Sequence, residues 1–135
     1  MLFNRSFILA SKSKSRQIIL KNNQLSFTQV SPKCDEELEK KRISKKKLSA
    51  PTTSLVLAKL KAASISKVKK NKLVVGSDTV IEFNKKIISK AKNTKEAKKK
   101  LSLLSGKKHN IYSSAAAYIN EKLIWSTTQK TTVKI

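Results

Sequence analysis

Two stretches of this chain carry residue types that could do chemistry on phosphates. In the first, Phe7-Ile8-Leu9-Ala10 runs straight into Ser11-Lys12-Ser13-Lys14-Ser15-Arg16 and on into an apolar, helix-like stretch. This is the outline of a strand, an anion-gripping loop and a helix N-terminus opening near Ser15. Ser11 and Ser13 offer hydroxyls, Lys12 and Arg16 offer cationic donors, and the free N–H groups of the first helical turn add partial positive charge aimed at an anion. In the second, Asp78 stands inside the apolar, β-branched run Lys72-Leu73-Val74-Val75-Gly76-Ser77-Asp78-Thr79-Val80-Ile81. Burying a carboxylate costs free energy unless something pairs with it, so Asp78 requires a partner.

The chain has only eight acidic residues, so candidates for acid–base or metal chemistry are few. Glu36, Glu37, Glu39, Glu82, Glu96 and Glu121 lie in charged or turn-like settings, where a solvated surface acid is the usual outcome. His109, beside Lys108, reads as structural. Cys34 has no second cysteine with which to form a disulfide and no nearby histidine for a metal site, which fits a reducing cytosol.

The elements that must position these residues follow from periodicity and turn chemistry. Arg16–Asn22 reads as a short helix and Leu25–Val30 as a strand closed by Pro32. Glu36–Ala50 is a charge run with little periodicity and is expected to be a surface loop. A helix is expected from Thr53 or Ser54, with Pro51 just outside and Leu55, Ala58, Ala62 and Ile65 on one stripe. Lys72–Ile81 reads as a strand with a Gly-Ser interruption, followed by a turn at Asn84-Lys85. Asn93 and Glu96 have capping-box spacing, Ala97, Leu101 and Leu104 form the expected buried stripe, and Gly106 stands where a C-cap belongs. Alternation from Asn110 to Ile119, a turn at Asn120-Glu121 and a return through Leu123 and Trp125 predict an antiparallel hairpin, with Tyr112, Tyr118 and Trp125 in the core. Strands and helices alternate early and hairpins dominate late. The fold class is therefore α/β or α+β, on a mixed β-sheet with flanking helices.

At 135 residues the chain is read as one domain, and 39% apolar residues support a globular reading. The formal net charge of +23 points to a polyanionic partner such as RNA, DNA or an anionic membrane. Lysine outnumbers arginine 28 to 3, however, and arginine is the residue whose planar fork suits bidentate recognition of phosphate and guanine. The basic balance is read as compositional drift rather than a dedicated nucleic-acid surface. No stretch reaches the length needed to span a bilayer, and the short apolar run after Arg5 is cut off by Lys12 and Lys14. The expectation is a soluble, cytoplasmic protein with no membrane partner and no specific nucleic acid.

Five blocks together resemble the Maf family of nucleoside triphosphate pyrophosphatases. That family opens with a strand and Leu-Ala-Ser-x-Ser-Pro-x-Arg, then shows an Asp-Glu pair, a Leu-Ala-x-x-Lys-Ala helix, Gly-Ala-Asp-Thr and Leu-Ser-Gly-x-x-His. This chain reads Leu9-Ala10-Ser11-Lys12-Ser13-Lys14-Ser15-Arg16, Asp35-Glu36, Leu57-Ala58-Lys59-Leu60-Lys61-Ala62, Gly76-Ser77-Asp78-Thr79 and Leu104-Ser105-Gly106-Lys107-Lys108-His109, in the same order. The resemblance implies a two-lobed architecture like that of the inosine triphosphatases, with a long mixed sheet split around a cleft. It implies hydrolysis of a nucleoside triphosphate substrate to a monophosphate and pyrophosphate, with Asp78 as proton acceptor and with Glu36 and Asp78 holding a divalent metal cation, Mg²⁺ or Mn²⁺. It places Ser11, Ser13, Ser15, Arg16, Lys61, Thr79 and Lys90 at the substrate.

The chain departs from the family pattern in places. Ser15 stands at a position tied to base selection where better-known subfamilies carry Arg or Trp, while Thr79 agrees with members that act on dTTP and UTP. Lys14 and Ala91 replace usual prolines. The family's Lys-Ala-Gly-x-Tyr segment and Gly-Leu-Pro motif do not occur before Ile135. The resemblance therefore implies a Maf-like domain over residues 1–135 lacking the C-terminal segment, with an unpaired sheet edge that invites a homodimer. Two alternatives stay open: a basic nucleic-acid-binding protein, and an inactive relative that only binds nucleotide.

Overall fold

In the computed structural model, residues 6–34, 36–89 and 91–134 are described, the side chain of Glu36 excepted. The elements run β1 (Phe7–Ala10), α1 (Lys14–Asn22), β2 (Phe27–Val30), α2 (Glu36–Lys45), α3 (Ala50–Ser66), β3 (Val74–Phe83), β4 (Lys86–Ile88), α4 (Thr94–Leu104), β5 (Lys108–Ile119) and β6 (Lys122–Lys134). The strands form a mixed sheet in the order β2-β1-β3-β5-β6, with β4 paired to β3. β1 is parallel to β2 and to β3, whereas β3–β5, β5–β6 and β3–β4 are antiparallel.

The hairpins follow from their turns. Asn84-Lys85 and Asn120-Glu121 all have positive φ, between 48° and 65°, the handedness that matches the twist of two strands joined by a two-residue loop. α4 begins as its capping box requires, with the Asn93 side chain accepting from Glu96 N at 2.8 Å, and Gly106 follows its end at φ +72°.

α3 lies across β3 and β5. Its buried positions are Ala50, Thr53, Ser54, Leu57, Ala58, Lys61, Ala62, Ile65 and Ser66, one continuous stripe of mostly small side chains that lets helix and sheet approach closely. Ile8, Ala10, Ala62, Ile65 and Val74 make the core cluster, with Val30 and Tyr118 packed against it. Burial raises the Tyr118 phenol above its ordinary value, because a phenolate is poorly solvated there.

Several expectations are corrected. Glu36–Lys45 is a helix rather than a loop: Glu, Leu, Lys and Arg are strong helix formers, and Ile43 anchors the helix by burial. α3 begins at Ala50 rather than near Thr53, because the Ser49 side chain caps it and Pro51 sits in the first turn, where its missing N–H costs nothing. β3 runs without interruption through Gly76-Ser77. Leu101 is 56% exposed, leaving Leu104 as the buried residue of α4, and Trp125 on β6 is also 56% exposed beside exposed Leu123 and Ile124. Among the described residues β6 pairs only with β5, and no helix is long and apolar enough to cross a membrane.

Candidate active site at the break in the sheet

β3 is paired along one edge with β5 from Val74 to Glu82. Its other edge is shared: β1 pairs with Val74–Gly76 and β4 with Ile81–Phe83. Ser77, Asp78, Thr79 and Val80 fall between these two partners, so the sheet splits where the acidic residue stands.

Asp78 is 5% exposed, and its partner is Lys61, itself 4% exposed. Lys61 Nζ donates to Asp78 Oδ1 at 2.9 Å and to Ser77 O at 3.3 Å. The charge that the apolar run could not accommodate alone is thus matched by an ammonium delivered from the buried stripe of α3. Such a pair contributes little net stability compared with apolar packing, but removing one member leaves the other buried without its counter-charge. Its value here is positional: it holds a carboxylate in one orientation beside an open cleft.

Gly76 makes this approach possible. A Cβ at that position would lie 2.5 Å from Ala58 O and 2.7 Å from Ala62 N, both backbone atoms of α3 that cannot swing aside. Gly76→Ala is therefore expected to push α3 off the sheet and cost about 1–3 kcal/mol, as overpacking does. A fall in the urea midpoint with an unchanged slope would register it, and an unchanged midpoint would contradict this packing.

The β1–α1 loop closes on the same edge. Ser11 is buried at the end of β1, and its Oγ accepts from Ser13 N at 3.0 Å. Ser13 is the N-cap of α1 and accepts from Arg16 N at 3.3 Å. Ser15 is exposed in the first turn. The Arg16 guanidinium crosses to β3, where Nη2 donates to Thr79 Oγ1 at 3.3 Å, and Thr79 Oγ1 lies 3.4 Å from Ser113 Oγ. The loop thereby places a cation and a helix N-terminus beside Asp78-Thr79.

A cleft of about 620 Å³ opens from this point between α2, the start of α3, β3 and the β3–β4 hairpin. Asp78 and Thr79 stand in its wall with apolar Ile43, Leu57, Val80 and Ile88, and Lys40, Lys47, Lys85 and Lys86 also line it. Four lysines against one carboxylate make the described lining a site for an anionic ligand. The fold thus brings together Asp78, Lys61, Thr79, Arg16 and the Ser11–Ser13 turn. Lys90 lies outside the described residues, and Glu36 is placed only as the first residue of α2. The α2 and hairpin lysines went unrecognised in the sequence. Lysine is too common here to stand out.

Comparison with known proteins identifies the family. A family profile described as Maf-like protein matches residues 6–135. A nucleoside triphosphate pyrophosphatase of Pelagibacter ubique is 36% identical over 126 residues, covering 93% of this chain and 65% of the relative. A dTTP/UTP pyrophosphatase of Bacillus cytotoxicus is 31% identical and a 7-methyl-GTP pyrophosphatase of Bdellovibrio bacteriovorus 34% identical, each covering 89% of this chain and 60% of the relative. The chain spans 60–65% of the length of these three relatives. Among solved structures, a HAM1 protein from Coxiella burnetii superposes with a TM-score of 0.55 at 14% identity, covering 94% of this chain and 70% of that one, a likeness of fold. With the profile matched from Ser6 onward and a mixed sheet split at its acidic residue, the chain belongs to the Maf-like family.

Proposed function

We propose that this chain is a cytosolic nucleoside triphosphate pyrophosphatase that cleaves the anhydride between the α- and β-phosphates, releasing a nucleoside monophosphate and pyrophosphate. The observation that carries the reading is the buried Asp78–Lys61 pair at the sheet break, opening into a lysine-lined cleft. The names of the three relatives support it.

In this reading a water oxygen attacks the α-phosphorus in line with the bridging oxygen. Asp78 accepts the water's proton, the bond from the α-phosphorus to the bridging oxygen breaks, and its electron pair leaves with pyrophosphate. Lys61 is a positioning residue that acts through Asp78. Arg16 and the N-terminus of α1 take up phosphate charge, because a guanidinium and the positive end of a helix favour anions.

Asp78 is the one carboxylate among the described residues of the lining, a hard oxygen ligand of the kind Mg²⁺ and Mn²⁺ prefer, whereas the Thr79 and Ser89 hydroxyls already accept from Arg16 and Lys100. Mg²⁺ is usually bound by one or two carboxylates together with substrate phosphates rather than by a protein cage. Asp78 and Glu36 are the residues that would hold it, and when bound it would neutralise phosphate charge.

The test is pyrophosphate release from common and modified triphosphates, beginning with dTTP and UTP, in Mg²⁺ or Mn²⁺. Turnover is expected, and Arg16→Ala is expected to weaken nucleotide affinity by about 1.5–3 kcal/mol, the worth of a charge-assisted contact. No release from any triphosphate would overturn the function, whereas an unchanged affinity would remove Arg16 from the phosphate site.

A further inference from the structure

α1 carries the guanidinium and the helix end that take up phosphate charge, yet it has no buried residue, and its Ile18 and Ile19 are exposed. Few buried apolar contacts leave such an element free to move, so directed bonds must place its N-terminal end. Those bonds converge on Ser11, which is buried at the end of β1. Ser11 N donates to Val30 O at 3.2 Å, and Ser11 Oγ accepts from Ser13 N at 3.0 Å. The remaining group, Ser11 O, accepts from Gln29 Nε2 at 2.6 Å. The first bond is between backbones and the second is local, so Gln29 supplies the hold that depends on a side chain from another strand.

Strand register puts Gln29 in reach. It pairs with Leu9 in the parallel β1–β2 ladder, two residues before Ser11, and it is half-buried. Side chains of a strand lean along its direction, which carries the amide to the next carbonyls of the neighbouring strand. The exit of β2 is tied to α3 by different groups. Lys33 N donates to Ser64 Oγ at 3.1 Å, and Ser64 Oγ donates to Lys61 O at 2.8 Å. β2 therefore braces the α1 loop through Gln29 and the Lys61 turn of α3 through Ser64, and the first brace can be removed without the second.

We propose that Gln29 is a positioning residue for the phosphate end of the site, acting through Ser11 on the β1–α1 loop and so on Arg16. This rests on the proposed nucleotide substrate. The Asp78–Lys61 pair is held from α3 and does not depend on Gln29.

The experiment uses the full chain and Gln29→Met, which keeps the length of the side chain and removes the donor, together with Arg16→Ala and the double variant. Affinity for inorganic tripolyphosphate is measured alongside KM and kcat for the triphosphate hydrolysed best. Gln29→Met is expected to weaken tripolyphosphate binding and raise KM by about 3–10-fold, the worth of one neutral hydrogen bond, with kcat within about twofold of the parent. In the Arg16→Ala background the same change should cost about twofold or less, because the side chain it acts through is gone. Amide exchange should quicken at Ser13 and Arg16, whose N–H groups are bonded within the loop, and stay unchanged at Lys61. A lower kcat with KM and tripolyphosphate affinity unchanged would overturn the inference, since that pattern marks a loss of folded protein rather than of phosphate binding. Additive losses in the double variant would overturn it by separating Gln29 from Arg16. A parent chain that binds neither nucleotide nor tripolyphosphate would overturn the proposed function with it.

Discussion

Asp78→Asn is expected to slow pyrophosphate release by about 10²–10⁴-fold, the contribution typical of a positioned proton acceptor. Asparagine keeps the size of the side chain and an oxygen for Lys61 Nζ, now 2.9 Å from Asp78 Oδ1, but it cannot take a proton from water. It also removes the charge that balances a buried ammonium, so some stability should be lost along with the activity. The rate must therefore be referred to folded protein, by single-turnover assay at a temperature where circular dichroism shows the variant native. Turnover as fast as the parent's, under those conditions, would show that Asp78 is not the proton acceptor.

Lys61→Met should have the largest effect on stability, about 3–5 kcal/mol, because it leaves the Asp78 carboxylate buried without its counter-charge. For a domain whose whole stability is on the order of 5–15 kcal/mol, this is a substantial part. Adding Asp78→Leu to Lys61→Met should restore much of the loss, since exchanging both members of a buried pair for apolar side chains is often neutral. Urea denaturation of the two single variants and the double variant closes the cycle. Additive losses would mean that the two charges do not act as a pair. A small loss in Lys61→Met with a large fall in nucleotide affinity would instead give Lys61 the direct phosphate role implied by the family resemblance.

The sequence by itself determined what local physics decides. The Asn93–Glu96 capping box, the Asn84-Lys85 and Asn120-Glu121 turns and the antiparallel hairpin through Ile119 and Leu123 each involve residues a few positions apart, and each is present in the fold. The buried face of β5, however, is that of Ser114 and Ala116 rather than that of Ile111, Ser113 and Ala115. That Asp78 needed a partner was equally legible, since burial penalises a carboxylate wherever the chain places it. Which partner was not. Lys61 is one of 28 lysines and stands 17 residues from Asp78, and only the close passage of α3 over Gly76 selects it.

The misread segments have the same cause. α2 shows no strong periodicity because Ile43 alone of its apolar residues is buried while Leu38 stays exposed, so its helicity rests on propensity and on one tertiary contact. Trp125 and Leu101 carry the periodicity of core residues but face solvent, because periodicity marks a face without saying what covers it. The cleft is the furthest from local reading. Its wall is drawn from α2, α3, β3 and the β3–β4 hairpin, and it exists because β1 and β4 divide one edge of β3 between them. That division is a matter of strand pairing between distant segments, so tertiary structure alone turned an acid in an apolar run into a carboxylate beside a cleft.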